Sequence, residues 1–314
     1  MSKERVYLSE VAPRDGLQIE PVFVATEQKV ALIDALSRAG FAKIEVTSFT
    51  SPRAIPALAD AEDVMARIER VSGVHYVGLV PNLRGMERAL RSRVDEMNLV
   101  MSVSETHNLA NLRMGREESF AQLAQVIRAL EGEPVRRNVS LSTTFGCPME
   151  GAIAADEVFR WVDRFVDLGV EGMSLCDTTG MAWPSQVEAI TERFLRKAPD
   201  TQLTLHFHNT RGMGLANIAA SLRVGARRFD ASLGGLGGCP YAPGATGNVC
   251  SEEVVHMLEL MGFHTGVDLE KALAASARLP QLLGHDVPSQ LLKAGPVARL
   301  HAAPQWVRQK MGQA

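Results

Sequence analysis

Short apolar runs alternate with amphipathic stretches through about the first 250 residues of the chain. Apolar runs of four to eight residues are typical of buried strands, whereas apolar positions spaced three and four apart are typical of helices. Helical spacing separates most of the apolar runs, as in the stretch that carries Val30, Ile33 and Leu36. The pattern predicts eight strands: Val6–Val11, Lys43–Phe49, His75–Val80, Glu96–Val103, Asn138–Phe145, Gly172–Asp177, Gln202–His208 and Arg228–Leu233.

Three of the predicted helices end in the same way. Gly40, Gly169 and Gly225 each follow the last apolar turn of a helix and precede a strand, and glycine is the usual left-handed stop at that position. A polar or acidic residue follows five positions later in each unit: Glu45, Ser174 and Asp230. Eight regular units over about 235 residues favour an α/β fold of the (β/α)8 TIM barrel type. The alternative is an open doubly wound sheet.

The strand pattern stops after Asn248. The remaining sequence predicts helices at Val254–Leu260 and Leu269–Leu283, with Pro288 and Pro296 as breaks. No low-complexity linker separates these helices from the strands. We therefore predict a single catalytic domain over residues 1–314, with the barrel at 5–250 and a C-terminal helical appendage at 251–314.

The charge and the cysteine content exclude several classes of protein. The 314 residues include 33 basic and 36 acidic side chains, a net charge of −3 that gives no electrostatic argument for nucleic acid. No apolar stretch reaches the roughly 20 residues that span a bilayer, and the N-terminus has no signal-peptide core. The four cysteines form no C-x-x-C pair. We expect reduced thiols in a cytoplasmic protein without a nucleic-acid or membrane partner.

Charged and metal-binding residues gather where the predicted strands end. In TIM barrels the chemistry lies at this C-terminal rim, and strands that served only for packing would not need such residues there. The candidates are Arg14 and Asp15 after the first strand, Glu45 in the second, Asp177 at the end of the sixth, His206 and His208 in the seventh, and Cys239 in the glycine-rich segment after the eighth.

His206 and His208 form the sharpest local motif. Residues two apart on a strand point to the same face, so two imidazoles at a barrel mouth can bind one metal ion. Asp15 ends a strand that neighbours this part of the barrel, and Asn248 can offer a carbonyl oxygen. Two nitrogens, a carboxylate and an amide oxygen suit Mg²⁺, Mn²⁺ or a related ion. The alternative is a pair of unrelated histidines, one of them merely packed.

The other candidates each have a functional and a structural interpretation. Arg14 can neutralise the charge of a developing oxyanion or form an ordinary ion pair. Glu45 and Asp177 can hold that arginine or act in acid–base chemistry. Cys239 can give or take a proton, or be incidental. None of the seven lysines falls at the C-terminal end of a predicted strand, which argues against Schiff-base aldolase chemistry.

Five segments carry further motifs: 11–18, 45–52, 80–85, 146–151 and 234–248. Together they resemble the 3-hydroxy-3-methylglutaryl-CoA lyase family. The resemblance extends from about residue 5 to 275, and the segments occur in the family's order. The later Gly-Asn of the glycine-rich loop belongs to the pattern, whereas Ile19 and Asn209 stand where family members usually carry Asn and Asp.

The resemblance implies a metal-dependent retro-Claisen carbon–carbon lyase that cleaves 3-hydroxy-3-methylglutaryl-CoA to acetyl-CoA and acetoacetate. It implies these roles: Asp15, His206, His208 and Asn248 as ligands of Mg²⁺ or Mn²⁺, Arg14 as the enolate-stabilising residue, Glu45 and Asp177 as active-site acids, and Cys239 as a catalytic thiol. The partner is then a small-molecule acyl-CoA, and a homo-oligomer (dimer or tetramer) is possible. The alternatives are a lyase for another branched 3-hydroxyacyl-CoA, a Claisen-type synthase, and a metal-binding barrel without activity.

Overall fold

Eight parallel strands close into a barrel in the computed structural model, which describes residues 3–238 and 247–312. Each strand pairs with the next one in sequence, and the last pairs with the first, which closes the barrel. The (β/α)8 prediction is therefore confirmed. The strands are β1 (Tyr7–Glu10), β2 (Lys43–Ser48), β3 (His75–Leu79), β4 (Glu96–Ser102), β5 (Arg136–Ser142), β6 (Gly172–Asp177), β7 (Gln202–Phe207) and β8 (Arg228–Ala231).

Helices follow the strands in sequence and surround the barrel. Helices α1 to α8 lie between successive strands, with two of them between β4 and β5, and α9 to α13 follow the barrel. No helix in the described ranges has the length and apolar character needed to cross a membrane. The helices are α1 (Thr26–Ala39), α2 (Ala61–Arg67), α3 (Leu83–Arg91), α4 (Glu105–Leu112), α5 (Arg116–Ala129), α6 (Ala155–Val166), α7 (Pro184–Lys197), α8 (Gly214–Arg223), α9 (Ser251–Leu260), α10 (Leu269–Ser276), α11 (Leu279–Leu283), α12 (Gln290–Ala294) and α13 (Gln305–Lys310).

The apolar core lies between the strands and the surrounding helices. Trp161 and Phe165 on α6, Phe194 on α7 and Phe229 on β8 are all fully buried. Burial of a large apolar side chain stabilises a fold by about 1.5–3 kcal/mol. This shell holds the strands in place, so the side chains at their ends have fixed positions.

Seven strands end one to three residues earlier than the sequence predicts, and β6 ends where it is predicted to end. β1 stops at Glu10, because a short π-helical turn begins at Ala12. β5 stops at Ser142, because Thr143 has a φ of 57°, in the left-handed region that interrupts an extended strand.

The repeat seen in the sequence has a structural basis. Gly40, Gly169 and Gly225 have φ angles of 93°, 73° and 106°, and each lies three residues before a strand. Arg93 has the same place before β4, with a φ of 55°. A fourth unit therefore follows the rule without a glycine.

The third residue of each of these four strands lines one small cavity inside the barrel. The residues are Glu45 on β2, Asn98 on β4, Ser174 on β6 and Asp230 on β8. Four side chains from alternate strands form the layers that fill TIM barrels, and such layers are usually apolar. Here the layer is polar.

Candidate active site

A π-helical turn positions the first two candidates. The backbone oxygen of Val11 accepts hydrogen bonds from the N–H groups of Arg14, Asp15 and Gly16, at 3.2, 2.7 and 3.3 Å. The turn, Ala12–Gly16, follows β1 directly. It holds the side chains of Arg14 and Asp15 at the C-terminal rim of the barrel.

Arg14 is held by two carboxylates. Its Nε and Nη2 lie 2.7 and 2.6 Å from Oε2 of Glu45, and its Nη1 donates to Oδ1 of Asp15 at 2.6 Å. Burial alone would lower the pKa of Arg14, but the charges of Glu45 and Asp15 outweigh it and raise that pKa. The guanidinium therefore stays charged inside the barrel mouth.

The two histidines share one face, as predicted. Their Nε2 atoms lie 3.2 Å apart. A ligand atom from each of His206, His208 and Asp15 lies within 4.8 Å of the other two. Nδ1 of His206 lies 3.2 Å from Oδ2 of Asp230, the arrangement in which a carboxylate orients a metal-binding imidazole.

Asn248 completes the cluster from the other side. Its Nδ2 donates to Oδ2 of Asp15 at 2.7 Å and to the backbone oxygen of Leu236 at 2.9 Å. Its Oδ1 is buried without a hydrogen-bond partner in the described part of the chain. A buried acceptor of this kind costs free energy unless something binds it. Two imidazole nitrogens, a carboxylate and this oxygen fit a divalent cation.

The charges in the cluster shift one another. Burial opposes ionisation of Asp15, but Arg14 and the two imidazoles outweigh it and lower the pKa of Asp15. Burial lowers the pKa of His206, but Asp230 outweighs it and the net shift is upward. Burial, aided by His206, lowers the pKa of His208 to about 3. A neutral His208 and an ionised Asp15 are the forms that bind a metal ion.

Glu45 and Asp177 differ in their surroundings. Burial raises the pKa of Glu45, although Arg14 and a hydrogen bond from Asn98 oppose that shift. Asp177 has no ion pair with Arg14 in the described part of the chain. Instead its Oδ1 accepts from the N–H groups of Met181 and Ala182 at 2.7 and 3.1 Å, and burial raises the pKa of Asp177 to about 6. Asp177 therefore holds the loop after β6.

The two departures from the lyase pattern have different settings. Oδ1 of Asn209 accepts from the N–H of Gly214 at 3.1 Å, at the start of α8. An aspartate could make the same bond. Ile19 is 42% exposed and ends a 3₁₀ turn that follows the Arg14 turn. An apolar side chain therefore lies at an exposed position there.

Cys239 lies outside the described residues. The three cysteines within them, Cys147, Cys176 and Cys250, are free and buried. Buried thiols in apolar surroundings are inert.

The sequence did not reveal two residues that contact the site. Asp230 was visible only as a member of the repeat, whereas the structure places it against His206. Asn98 was missed altogether, because Arg93 stands where the other units have glycine. A search for a polar side chain at the third residue of each predicted strand would have found both Asp230 and Asn98.

The chain is similar to known proteins over most of its length. The family model described as HMGL-like matches residues 5–279. The hydroxymethylglutaryl-CoA lyase YngG of Bacillus subtilis is 46% identical over 290 residues, which covers 92% of this chain and 97% of that protein. The (R)-citramalyl-CoA lyase of Chloroflexus aurantiacus is 39% identical over 304 residues, which covers 94% and 96%.

A solved structure is similar over nearly its whole length. It is that of an HMG-CoA lyase from Acinetobacter baumannii in complex with coenzyme A and 3-methylmalate, with a TM-score of 0.92 and 52% identity. The match covers 95% of this chain and 98% of that one.

Proposed function

The chain belongs to the HMGL-like family, and from this premise we propose that it is a metal-dependent carbon–carbon lyase that cleaves 3-hydroxy-3-methylglutaryl-CoA to acetyl-CoA and acetoacetate. One observation carries the proposal. The charged Arg14 lies beside the cluster of Asp15, His206 and His208 at a single barrel rim. Cleavage needs both a site for the substrate's oxygens and a cation for the enolate.

Asp15, His206 and His208 would hold the metal, with Oδ1 of Asn248 as a further ligand. Two neutral imidazoles, a carboxylate and an amide oxygen together suit Mg²⁺, Mn²⁺ or a related ion. When bound, a divalent cation supplies Lewis-acid polarisation of the substrate's hydroxyl and carboxylate oxygens.

The bond between C2 and C3 breaks after the 3-hydroxyl loses its proton. The O–H electron pair becomes the carbonyl π bond of acetoacetate, and the C2–C3 pair passes into the thioester enolate. A group on the rim takes the proton, and Asp15 and His206 are the candidates. The contact with Asp230 orients the ring of His206, whether His206 acts as a metal ligand or as the proton acceptor.

Arg14 would hold the enolate oxygen. Its Nε and one hydrogen on each terminal nitrogen are used by Glu45 and Asp15. A guanidinium has five N–H donors, so two remain. Because Glu45 and Asp15 already fix the group, it need not reorganise during the reaction.

C2 of the enolate must then gain a proton to give acetyl-CoA. We assign this step to the thiol of Cys239, on the sequence argument alone, since it lies in the glycine-rich segment between β8 and Asn248. A thiol can donate a proton without becoming a nucleophile.

The similarity to the citramalyl-CoA lyase supports a second candidate, a lyase for another branched 3-hydroxyacyl-CoA. The exposed Ile19, five residues after Arg14 in the sequence, is consistent with altered substrate contacts. Arg14 and the ligand cluster would serve the same bond cleavage. A Claisen-type synthase and an inactive metal-binding barrel have no comparable support.

A turnover assay tests the proposal. The protein is incubated with Mg²⁺ or Mn²⁺ and a panel of 3-hydroxyacyl-CoA thioesters, and acetyl-CoA is measured. We expect the highest kcat/KM on 3-hydroxy-3-methylglutaryl-CoA and loss of activity in EDTA, restored by added metal. A higher kcat/KM on citramalyl-CoA would favour the second candidate, and full activity after EDTA would contradict both. The cytoplasmic location and the homo-oligomer remain predictions.

A further inference from the structure

Asn98 lies at an unusual place for an amide side chain. It is the third residue of β4, only 8% exposed, inside a barrel that is normally filled by branched apolar residues. A buried amide is costly unless its donors and acceptors are paired. Its partners therefore indicate why it is there.

Hydrogen bonds fix the orientation of the Asn98 amide. Its Oδ1 accepts from Oγ of Ser140 at 2.8 Å and from Nδ2 of Asn138 at 3.0 Å, both on β5. With the oxygen held toward β5, Nδ2 points across the barrel and donates to Oε1 of Glu45 at 2.9 Å.

The same carboxylate holds Arg14 with its other oxygen. Oε2 of Glu45 receives Nε and Nη2 of Arg14, so each oxygen of the carboxylate has its own partner. A carboxylate held at one oxygen only can rotate about its terminal bond, which has a broad torsional preference. The bond from Asn98 removes that freedom.

We propose that Asn98 is a positioning residue for the lyase reaction: through Glu45 it fixes the direction in which the Arg14 guanidinium presents its free N–H groups to the substrate. The inference rests on the proposed function of Arg14. It adds a residue that does not touch the substrate and that lies outside the motifs of the lyase resemblance.

The position of Asn98 in the fold explains how it can act at a distance. Asn98 and Glu45 both belong to the layer of four polar side chains, one from each even-numbered strand, that lines the internal cavity. Since β4 and β2 are both part of the closed barrel, the distance between the two side chains is set by strand geometry. A loop residue could not hold Glu45 as firmly.

The first test measures kinetics of three variants on the acyl-CoA that the wild type turns over fastest. Asn98→Leu keeps the branched shape and the number of side-chain heavy atoms but removes the donor. Asn98→Asp replaces the donor by a second carboxylate, and Ser140→Ala loosens the amide without touching Glu45. We expect kcat to fall about tenfold to a hundredfold for Asn98→Leu, since hydrogen bonds to charged groups are the strong ones. The kcat of Asn98→Asp should fall further, and that of Ser140→Ala should fall about two- to fivefold. KM should change less than threefold in each of the three variants.

A double-variant cycle separates positioning from general damage. In an Arg14→Met background the Asn98→Leu change should cost less than a further twofold in kcat, because its effect passes through Arg14. Losses that multiply in the double variant would overturn the proposal. Asn108→Leu is the matched control: its buried amide bonds Ser119 and backbone groups away from Arg14. It should lower the melting temperature and leave kcat within twofold.

A second measurement does not depend on activity. The Nε–H resonance of Arg14, assigned by its disappearance in Arg14→Met, should exchange with water at least tenfold faster in Asn98→Leu than in the wild type. Unchanged exchange, with kcat also unchanged, would overturn the role of Asn98. Faster exchange in a protein inactive on every thioester would uphold the contact between Asn98, Glu45 and Arg14 and contradict the proposed function instead.

Discussion

Replacing Glu10 by glutamine is expected to stabilise the protein in alkaline solution and to leave its stability nearly unchanged in mildly acidic solution. Glu10 is fully buried at the end of β1. Its Oε1 accepts from the N–H groups of Ala12 and Leu233 at 2.8 and 2.9 Å, and its Oε2 lies 2.6 Å from Oγ of Ser251. Burial, with a smaller contribution from Glu252, raises the pKa of Glu10 from 4.5 to about 8.

The sign of the effect follows from which state binds the proton. Between pH 4.5 and about 8 the folded protein keeps the Glu10 proton and the unfolded chain releases it, so the free energy of unfolding falls as the pH rises. The loss is about 1.4 kcal/mol for each pH unit. Glutamine does not titrate, and its amide can make the same three contacts. From pH 5.5 to 8 the free energy of unfolding of the variant should therefore rise by about 3 kcal/mol relative to that of the wild type.

Thermal unfolding followed by circular dichroism measures this gain. A difference of about 3 kcal/mol corresponds to roughly 6 °C in melting temperature for a chain of this size. Glu192→Gln, on the exposed face of α7, is the control and should follow the wild type at every pH. A difference in melting temperature between Glu10→Gln and the wild type that stays constant across the pH range would refute the reasoning. So would a melting temperature of the variant that falls relative to the wild type as the pH rises.

Three further predictions concern the proposed chemistry. Arg14→Met should lower kcat about 10²–10³-fold with little change in KM. Arg14→Lys should also be slow, because lysine lacks the planar guanidinium fork. A near-normal kcat for the lysine variant in steady-state kinetics would contradict the role of Arg14. His208→Ala should weaken Mn²⁺ binding in calorimetry while the circular dichroism spectrum stays native, and unchanged affinity would remove His208 from the ligand set. Cys239→Ser should lower kcat about 10²–10⁴-fold and abolish inactivation by a small alkylating reagent; near-normal turnover would leave the proton donor unassigned.

The sequence predicted the architecture and the composition of the rim because both depend on local spacing. Strand–helix alternation and the glycine stops required only short-range patterns, and each of the eight strands overlaps its predicted segment with ends that differ by at most three residues. The ligand candidates Asp15, His206 and His208 converge because the C-terminal ends of parallel strands meet at one edge. A closed barrel turns these local features into a common site.

The contacts that orient the side chains of the site could not be predicted from the sequence and are seen only in the structure. Nothing in the spacing of residues 11–16 indicates a π-helical turn, yet that turn sets the positions of Arg14 and Asp15. Likewise, the hydrogen bond between Asn98 and Glu45 joins residues 53 apart in sequence. Both depend on three-dimensional packing, which periodicity does not contain.

The internal repeat connects the fold to the chemistry. A residue with positive φ ends the preceding helical segment, a strand begins three residues later, and the third residue of that strand faces the inside of the barrel. Where the residue with positive φ is Arg93, its left-handed backbone costs about 1–2 kcal/mol that glycine would avoid. The unit nevertheless keeps its spacing, so register within the closed barrel outweighs the local strain. Because register decides which side chain enters the layer, the spacing also determines that Asn98 meets Glu45 beneath Arg14.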